Sequence, residues 1–107
     1  MKNKKVLKVN GREFEVYEGW LKYVGLMFKS PKPVAFVLKR KADIHTFFVF
    51  HEIDVFWVKG NEVVKKVRAK PFRVYPGVEA DYILECPPGF LESEVGDRLS
   101  LTLTAKP

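Results

Sequence analysis

The sequence contains one cysteine, no glutamine and no long uncharged apolar run. One cysteine cannot form a disulfide within the chain, and it excludes the cysteine clusters that hold structural zinc. A membrane-spanning helix needs roughly 20 apolar residues, which no segment offers. The basic N-terminus fails as a signal peptide because Lys8 interrupts its apolar part after two residues. We therefore expect a soluble, unprocessed, cytoplasmic protein.

The length and the charge of the chain narrow its class further. With 107 residues, of which 47% are apolar and 30% are charged, it suits a single domain over residues 1–107 with one real core. The formal charge of +6 attracts nucleic acid, acidic lipid surfaces or acidic protein partners, and it also keeps a small protein soluble. Scarce asparagine beside abundant lysine and glutamate is typical of organisms that live in heat.

Turn residues and alternation predict a chain made mostly of strands. Asn10-Gly11 is typical of a type I′ hairpin, and Gly60-Asn61 of a type II′ hairpin. The predicted strands are 6–9, 12–17, 33–39, 44–50, 53–59, 62–68, an extended piece around 72–75, 81–86 and 98–104. Short helical segments are predicted between Tyr17 and Met27 and as one turn at 90–95. The pattern indicates an all-β fold, a mainly antiparallel sandwich or barrel of about eight strands.

Several motifs, taken in order, carry a family resemblance. They are VGLMFK (24–29), IHTFFVF (44–50), EIDVFWVKGNEVV (52–64), KPFRVYPG (70–77), DYILECPPG (81–89) and VGDRLSL (95–101). Together they resemble the small-protein family catalogued as domain of unknown function 192, over roughly residues 20 to 103. This chain differs from the usual family sequence at Val49, Glu52 and Cys86. The residues at these positions keep the apolar or turn character that the family shows there. The resemblance implies a β-sandwich or barrel-like fold with short helical pieces, and it supplies no activity and no catalytic residues.

The stretch HTFFVFHEIDVFW contains four residues whose side chains can bind metals, within a run that is otherwise apolar. They are His45, His51, Glu52 and Asp54. In one unbroken strand the two histidines share a face and the two carboxylates share the other, which works against a joint metal site. If His51-Glu52 is a turn, Asp54 could lie opposite His45 or Phe47 across a hairpin. We therefore expect no metal and no cofactor.

Two interpretations of Asp54 remain open. In the first, Asp54 accepts backbone N–H bonds and pins its own loop. In the second, His45, Phe47 and Asp54 form the floor of a pocket that binds a small polar or carbohydrate-like ligand or a protein partner, with a ring stacked on the phenylalanine. An aspartate buried there without a cation would have a raised pKa. The leading functional hypothesis is a non-enzymatic binding domain that uses this pocket.

The alternative hypothesis is a nucleic-acid-binding module on the basic stretch KKVRAKPFR. Cations interleaved with an aromatic are typical of single-strand binding. The residues concerned are Lys65, Lys66, Arg68, Lys70, Phe72 and Arg73. The same lysines could simply protect a strand edge from aggregation. A hydrolytic enzyme with a His45–Asp54 pair is a third and weaker hypothesis, and Cys86 is expected to pack rather than to react.

Overall fold

The computed structural model describes residues 4–17, 26–27, 29–38 and 43–106. In this part of the chain there are nine strands and no helix. The strands are β1 (Lys4–Val9), β2 (Arg12–Tyr17), β3 (Val34–Val37), β4 (Ile44–His45), β5 (Ile53–Lys59), β6 (Glu62–Ala69), β7 (Val74–Tyr75), β8 (Tyr82–Cys86) and β9 (Leu101–Lys106). The described residues accordingly include no helix long and apolar enough to cross a membrane. The predicted all-β class is confirmed.

Seven strands form one mixed sheet in the order β6-β5-β8-β3-β2-β1-β9, and β4 pairs with β7 in a small second sheet. All neighbours in the large sheet are antiparallel except β2 and β3, which are parallel. Residues 96–99 bond along the start of β6, where the Gly96 N–H donates to Val63 and the Val63 N–H donates to Asp97. These bonds curl the sheet toward a barrel.

Both predicted hairpins are confirmed. Asn10 and Gly11 adopt φ angles of 50° and 82°, which are the positive values that a type I′ turn requires at both positions. Gly60 has a φ of 62°, and the strands that flank it pair antiparallel with a register shift between Trp57 and Val58. Here the local backbone preference of one or two residues sets the connection.

Two expectations about local structure are wrong. The predicted strand at 44–50 stops after His45, since Phe48 takes a φ of 61° that no strand accommodates. The predicted helical turn at 90–95 is a series of tight turns, with the Phe90 N–H bonded to Pro87 and the Asp97 N–H to Glu94. The other predicted helix, between Tyr17 and Met27, lies almost entirely outside the described residues.

The strand β5, which lies between β6 and β8, is buried on both faces of the sheet, and six of its seven residues are buried. Ile53, Val55 and Trp57 face one core cluster, and Phe56 and Val58 face a second cluster on the other side of the sheet. Strands that are buried on both faces have nearly continuous apolar sequences, and the sequence of β5 is of this kind. Each face therefore needs a cover, and loops supply it.

Glu85 is a carboxyl group inside the first core cluster. It lies on β8 between Val34 of β3 and Val55 of β5, and only 7% of its surface is exposed. Among the residues that the structure describes, none donates a hydrogen bond to its side chain. Burial raises the pKa of Glu85 from 4.5 to about 7, because a carboxylate loses its hydration in apolar surroundings.

We expect Glu85→Gln to change how stability depends on pH. The raised pKa means that the folded state favours the protonated acid, so stability is greatest below pH 4.5, falls toward pH 7 and is constant above it. The loss amounts to about 3 kcal/mol. Urea unfolding of both proteins from pH 4 to 8 measures it, and Glu79→Gln on the surface is the control. A constant difference between wild type and Glu85→Gln over this range would contradict the prediction.

Candidate functional site

Four phenylalanine side chains are exposed on the loops around β4 and β7. Their exposed fractions are 43% for Phe47, 46% for Phe48, 56% for Phe50 and 45% for Phe72. The ring of Phe72 lies edge-on to Phe48 at 6.2 Å and to Phe50 at 5.6 Å, and His45 stacks on Phe47 at 5.5 Å. These five residues are called the aromatic platform below. Exposed apolar surface of this kind marks interaction sites.

The buried hydroxyl of Thr46 fastens the two loops of the platform together. It donates to the Lys70 carbonyl at 2.6 Å and accepts from the Arg73 N–H at 2.8 Å. The backbone adds two more bonds, from the Thr46 N–H to Arg73 at 2.8 Å and from the Phe72 N–H to Thr46 at 2.9 Å. A fully buried hydroxyl with donor and acceptor both used holds its neighbours in one geometry.

The backbone of the platform is strained at two of its phenylalanines. Phe48 and Phe72 have φ angles of 61° and 58°, a region that bulky side chains rarely enter. Such conformations persist only where surrounding contacts impose them, and they occur preferentially at functional sites. Here the Thr46 carbonyl accepts from the N–H groups of Val49 and Phe72, so one residue holds both strained positions.

Lys70 lies two residues before Phe72 in the chain, and Arg73 follows it directly. Both are exposed, and neither side chain makes an ion pair or a hydrogen bond within the described part of the chain. The backbone beneath them is fixed, because the Lys70 N–H donates to the hydroxyl of Tyr75 at 2.8 Å. The bonds of Thr46 thus bring the segment of the predicted pocket next to the segment of the predicted basic stretch.

Lys65 and Lys66, also predicted for nucleic acid, are engaged elsewhere. The ammonium of Lys65 lies 5.2 Å from the centre of the Trp57 ring and donates to the Pro76 carbonyl. Lys66 pairs with Glu94 at 3.0 Å. Both lysines therefore bind the covering loops to β6.

Asp54 lies away from the position expected for it opposite His45 or Phe47. It faces Arg68, whose guanidinium donates to its two carboxylate oxygens at 2.8 and 3.2 Å, and it accepts from the Gly89 N–H at 2.9 Å. No hydrogen bond joins it to His45 in the described structure. Burial by itself raises the pKa of Asp54, but the bonds from Arg68 and Gly89 outweigh it and hold the pKa below its ordinary value. Asp54 accepts a backbone N–H bond, as the first interpretation proposed, but the loop that it pins contains Gly89 and is not its own.

The remaining chemical candidates are placed as follows. Cys86 is buried in the second core cluster, and burial raises the pKa of its thiol to about 12, so it stays unreactive. His51 and Glu52 are exposed just before β5. The described residues contain no group of three or more His, Cys, Asp or Glu side chains placed to hold a metal ion.

The sequence did not single out Thr46, Phe48 or Phe50. The sequence predicts that all three belong to one strand, because an apolar run flanked by turns is typical of a buried strand. The threonine was the available signal, because a hydroxyl that bonds to nearby backbone competes with strand pairing. A positive φ at phenylalanine has no signature in the sequence.

We expect Thr46→Val to destabilise the protein by about 1–3 kcal/mol, because it leaves the Arg73 N–H and the Lys70 carbonyl without a partner. The valine keeps the shape of the side chain. Thr46→Ser keeps the hydroxyl and is the matched control. Denaturant unfolding gives the stability, and amide hydrogen exchange at Phe72 and Arg73 should accelerate only in the valine variant. Unchanged exchange there would refute the role of the hydroxyl.

We expect Asp54→Asn to lower stability at pH 7 by about 1–3 kcal/mol. The lowered pKa means that the carboxylate stabilises the folded state above its ordinary value of 3.8, and that this contribution is lost as the pH falls through the folded-state pKa. The two proteins should therefore converge in acid. Lys59→Ala, which removes an exposed ion pair with Glu79, should leave stability almost unchanged, because water screens an exposed pair. An equal gap at neutral and acid pH would contradict this.

Two solved structures share the fold. A protein of unknown function from Novosphingobium aromaticivorans superposes with a TM-score of 0.72 at 18% identity, covering 89% of this chain and 83% of that one. A hypothetical protein from Synechocystis gives 0.57 at 9% identity, covering 99% of this chain and 20% of that one. At these identities the likeness concerns the fold alone.

Sequence relatives come from thermophilic archaea, in agreement with the composition. The chain is 41% identical over 86 residues to a UPF0127 protein of Pyrococcus horikoshii, covering 71% of this chain and 75% of that protein. It is 32% identical over 96 residues to a UPF0127 protein of Pyrococcus abyssi, covering 79% and 82%. A UPF0127 protein of Thermococcus kodakarensis is 42% identical over 71 residues, covering 62% and 45%.

The relatives and the fold agree on an uncharacterised family, as the resemblance in the sequence implied, although the name that the relatives carry is UPF0127. No profile of a known protein family matches the chain. The identity to the Pyrococcus horikoshii protein extends over three quarters of that protein. On this ground the chain belongs to the UPF0127 family.

Proposed function

We propose that this protein is a non-enzymatic binding domain that holds single-stranded nucleic acid on the aromatic platform, with Lys70 and Arg73 contacting the phosphates. The observation that carries the proposal is that exposed phenylalanines lie on the same two joined loops as Lys70 and Arg73, which make no ion pair within the described residues. It unites His45 and Phe47 of the predicted pocket with Lys70, Phe72 and Arg73 of the predicted basic stretch.

The first supporting step is stacking. Bases stack on aromatic side chains with about 1–3 kcal/mol each, and the contact tolerates any sequence because every base has a flat face. Phe47 and Phe72 expose nearly half of their surfaces, and the bonds of Thr46 hold them in place before a ligand arrives. A preformed surface loses little conformational entropy when it binds.

The second step is electrostatic. The chain carries a formal charge of +6, which draws a polyanion toward it. Lys70 and Arg73 lie on the joined loops of the platform, without a carboxylate partner among the described residues. A phosphate that contacts them therefore displaces no existing ion pair.

A carbohydrate or a protein partner fits this surface less well. Sugar recognition needs polar groups directed at the hydroxyls, and here the hydroxyls of Thr46 and Tyr75 are used by the backbone. A protein partner would use the apolar rings, but it would have to be acidic to satisfy Lys70 and Arg73.

Fluorescence anisotropy with a labelled oligothymidylate tests the proposal. We expect affinity to fall steeply between low and moderate salt, because binding releases counterions. Phe72→Ala should weaken binding roughly tenfold. Replacing both Lys70 and Arg73 by alanine should reduce the slope of log affinity against log salt by about 0.7 for each lost contact.

Two controls match these variants. Val95 is 60% exposed on the loop that covers the second core cluster, so Val95→Ala removes an exposed apolar side chain elsewhere. Lys59→Ala removes a cation that is already paired with Glu79. Absence of binding at low salt, affinity that ignores salt, or equal loss in Val95→Ala and Phe72→Ala would each overturn the proposal. Absence of binding would also make an acidic protein partner the better hypothesis.

A further inference from the structure

No described residue pairs with the outer edge of β9. β9 ends the large sheet and pairs along its whole length with β1 on its inner side. Residues 96–99, just before it, bond to the Asn61–Val63 segment, but β9 itself runs past that hairpin. Within the described residues no strand or loop bonds to the outer side of Leu101–Ala105.

The bonds at Ser100 show which backbone groups point outward. Ser100 donates to the Asn10 side chain and accepts from the Asn10 N–H, so its backbone groups face β1. Because these directions alternate along a strand, Thr102 and Thr104 also face β1. The N–H and C=O groups of Leu101, Leu103 and Ala105 consequently face outward.

Over residues 101–105 the edge lacks the usual protection against pairing, and the one charged residue of β9 is Lys106 at its end. Natural edge strands carry charged residues, proline or bulges that block another strand, and LTLTA at 101–105 has no charge and no proline. Leu103 is 51% exposed, and its register opposite Leu7 places it at the rim of the second core cluster. An apolar, uncharged edge of this kind favours an added strand.

We propose that β9 pairs antiparallel with β9 of a second copy of this chain, about a two-fold axis at Leu103. In this register Leu103 lies opposite Leu103 of the second copy, and Leu101 lies opposite Ala105 of the second copy. In each of these pairs, the N–H of either residue donates to the C=O of the other. The two large sheets then continue into one, and the exposed leucines of both copies cover each other.

A second copy is the occupant that fits because the register complements itself. Thr102 falls opposite Thr104, and Lys106 falls opposite Ser100 rather than opposite another lysine. No like charges meet along the pairing, although each copy carries +6 overall. Pairing through one edge buries less than a standard interface, so we expect a dimer that dissociates at roughly micromolar concentration or above.

Sedimentation velocity over a wide concentration range tests the dimer. The wild type should shift from monomer to dimer as concentration rises to about 0.5 mM. Leu103→Lys should remain monomeric throughout, because two ammonium groups would meet at the axis. Leu103→Val, which keeps an apolar strand-forming residue, is the matched control and should still dimerise. Thermal unfolding checks that each variant is folded.

Cysteine cross-linking tests the register. In the proposed pairing the Cα atoms of the two Leu103 residues are about 5.5 Å apart, within disulfide range. Leu103→Cys should oxidise rapidly to a linked dimer. Thr102→Cys should not, because its copy lies diagonally at about 7–8 Å. Native Cys86 is fully buried and does not compete.

Three outcomes would overturn the inference: a wild type that is monomeric at every concentration, a dimer that persists in Leu103→Lys, or equal cross-linking at positions 102 and 103. The inference is independent of the proposed nucleic-acid binding, because β9 shares no residue with the aromatic platform. A variant that no longer dimerises can therefore still be tested for nucleic-acid binding, and a variant that no longer binds can still be tested for dimerisation.

Discussion

The structure depends on one constraint, the burial of β5 on both of its faces. A strand in that position requires a layer on each side of the sheet, and the described residues supply loops where other folds place helices. Loops cover a sheet only if their own polar backbone is satisfied. Among the polar side chains that meet this need are Asp54, on the side of the second core cluster, and Thr46, on the side of the first.

This way of covering the first core cluster also creates the candidate site. Thr46 uses its hydroxyl and backbone to tie residues 44–50 to the segment around Phe72. Ile44 and Val49 then lie in the core, while Phe47, Phe48 and Phe50 are exposed. Strained φ angles at Phe48 and Phe72 accompany this arrangement. The exposed rings thus follow from how the cover is anchored.

Part of the candidate site could be predicted from the sequence. The sequence named His45 and Phe47 for one function and Lys70, Phe72 and Arg73 for another, and the structure brings the two groups together. It misplaced Asp54, because the pairing of β5 with β6 and β8 puts Arg68 and Cys86 beside that residue. Partners from distant strands cannot be read from spacing along one stretch of chain.

The sequence by itself determined the hairpin at Asn10-Gly11, the hairpin at Gly60-Asn61 and the limits of β5, because positive φ preferences and the two-residue period of a strand act locally. Only the tertiary structure decided that Ile44–Phe50 is mostly a loop, that Asp54 binds Arg68, and that β9 ends the sheet. Those outcomes depend on groups that are distant in the chain and compete for hydrogen bonds and burial. This competition is decided only when the sheet assembles.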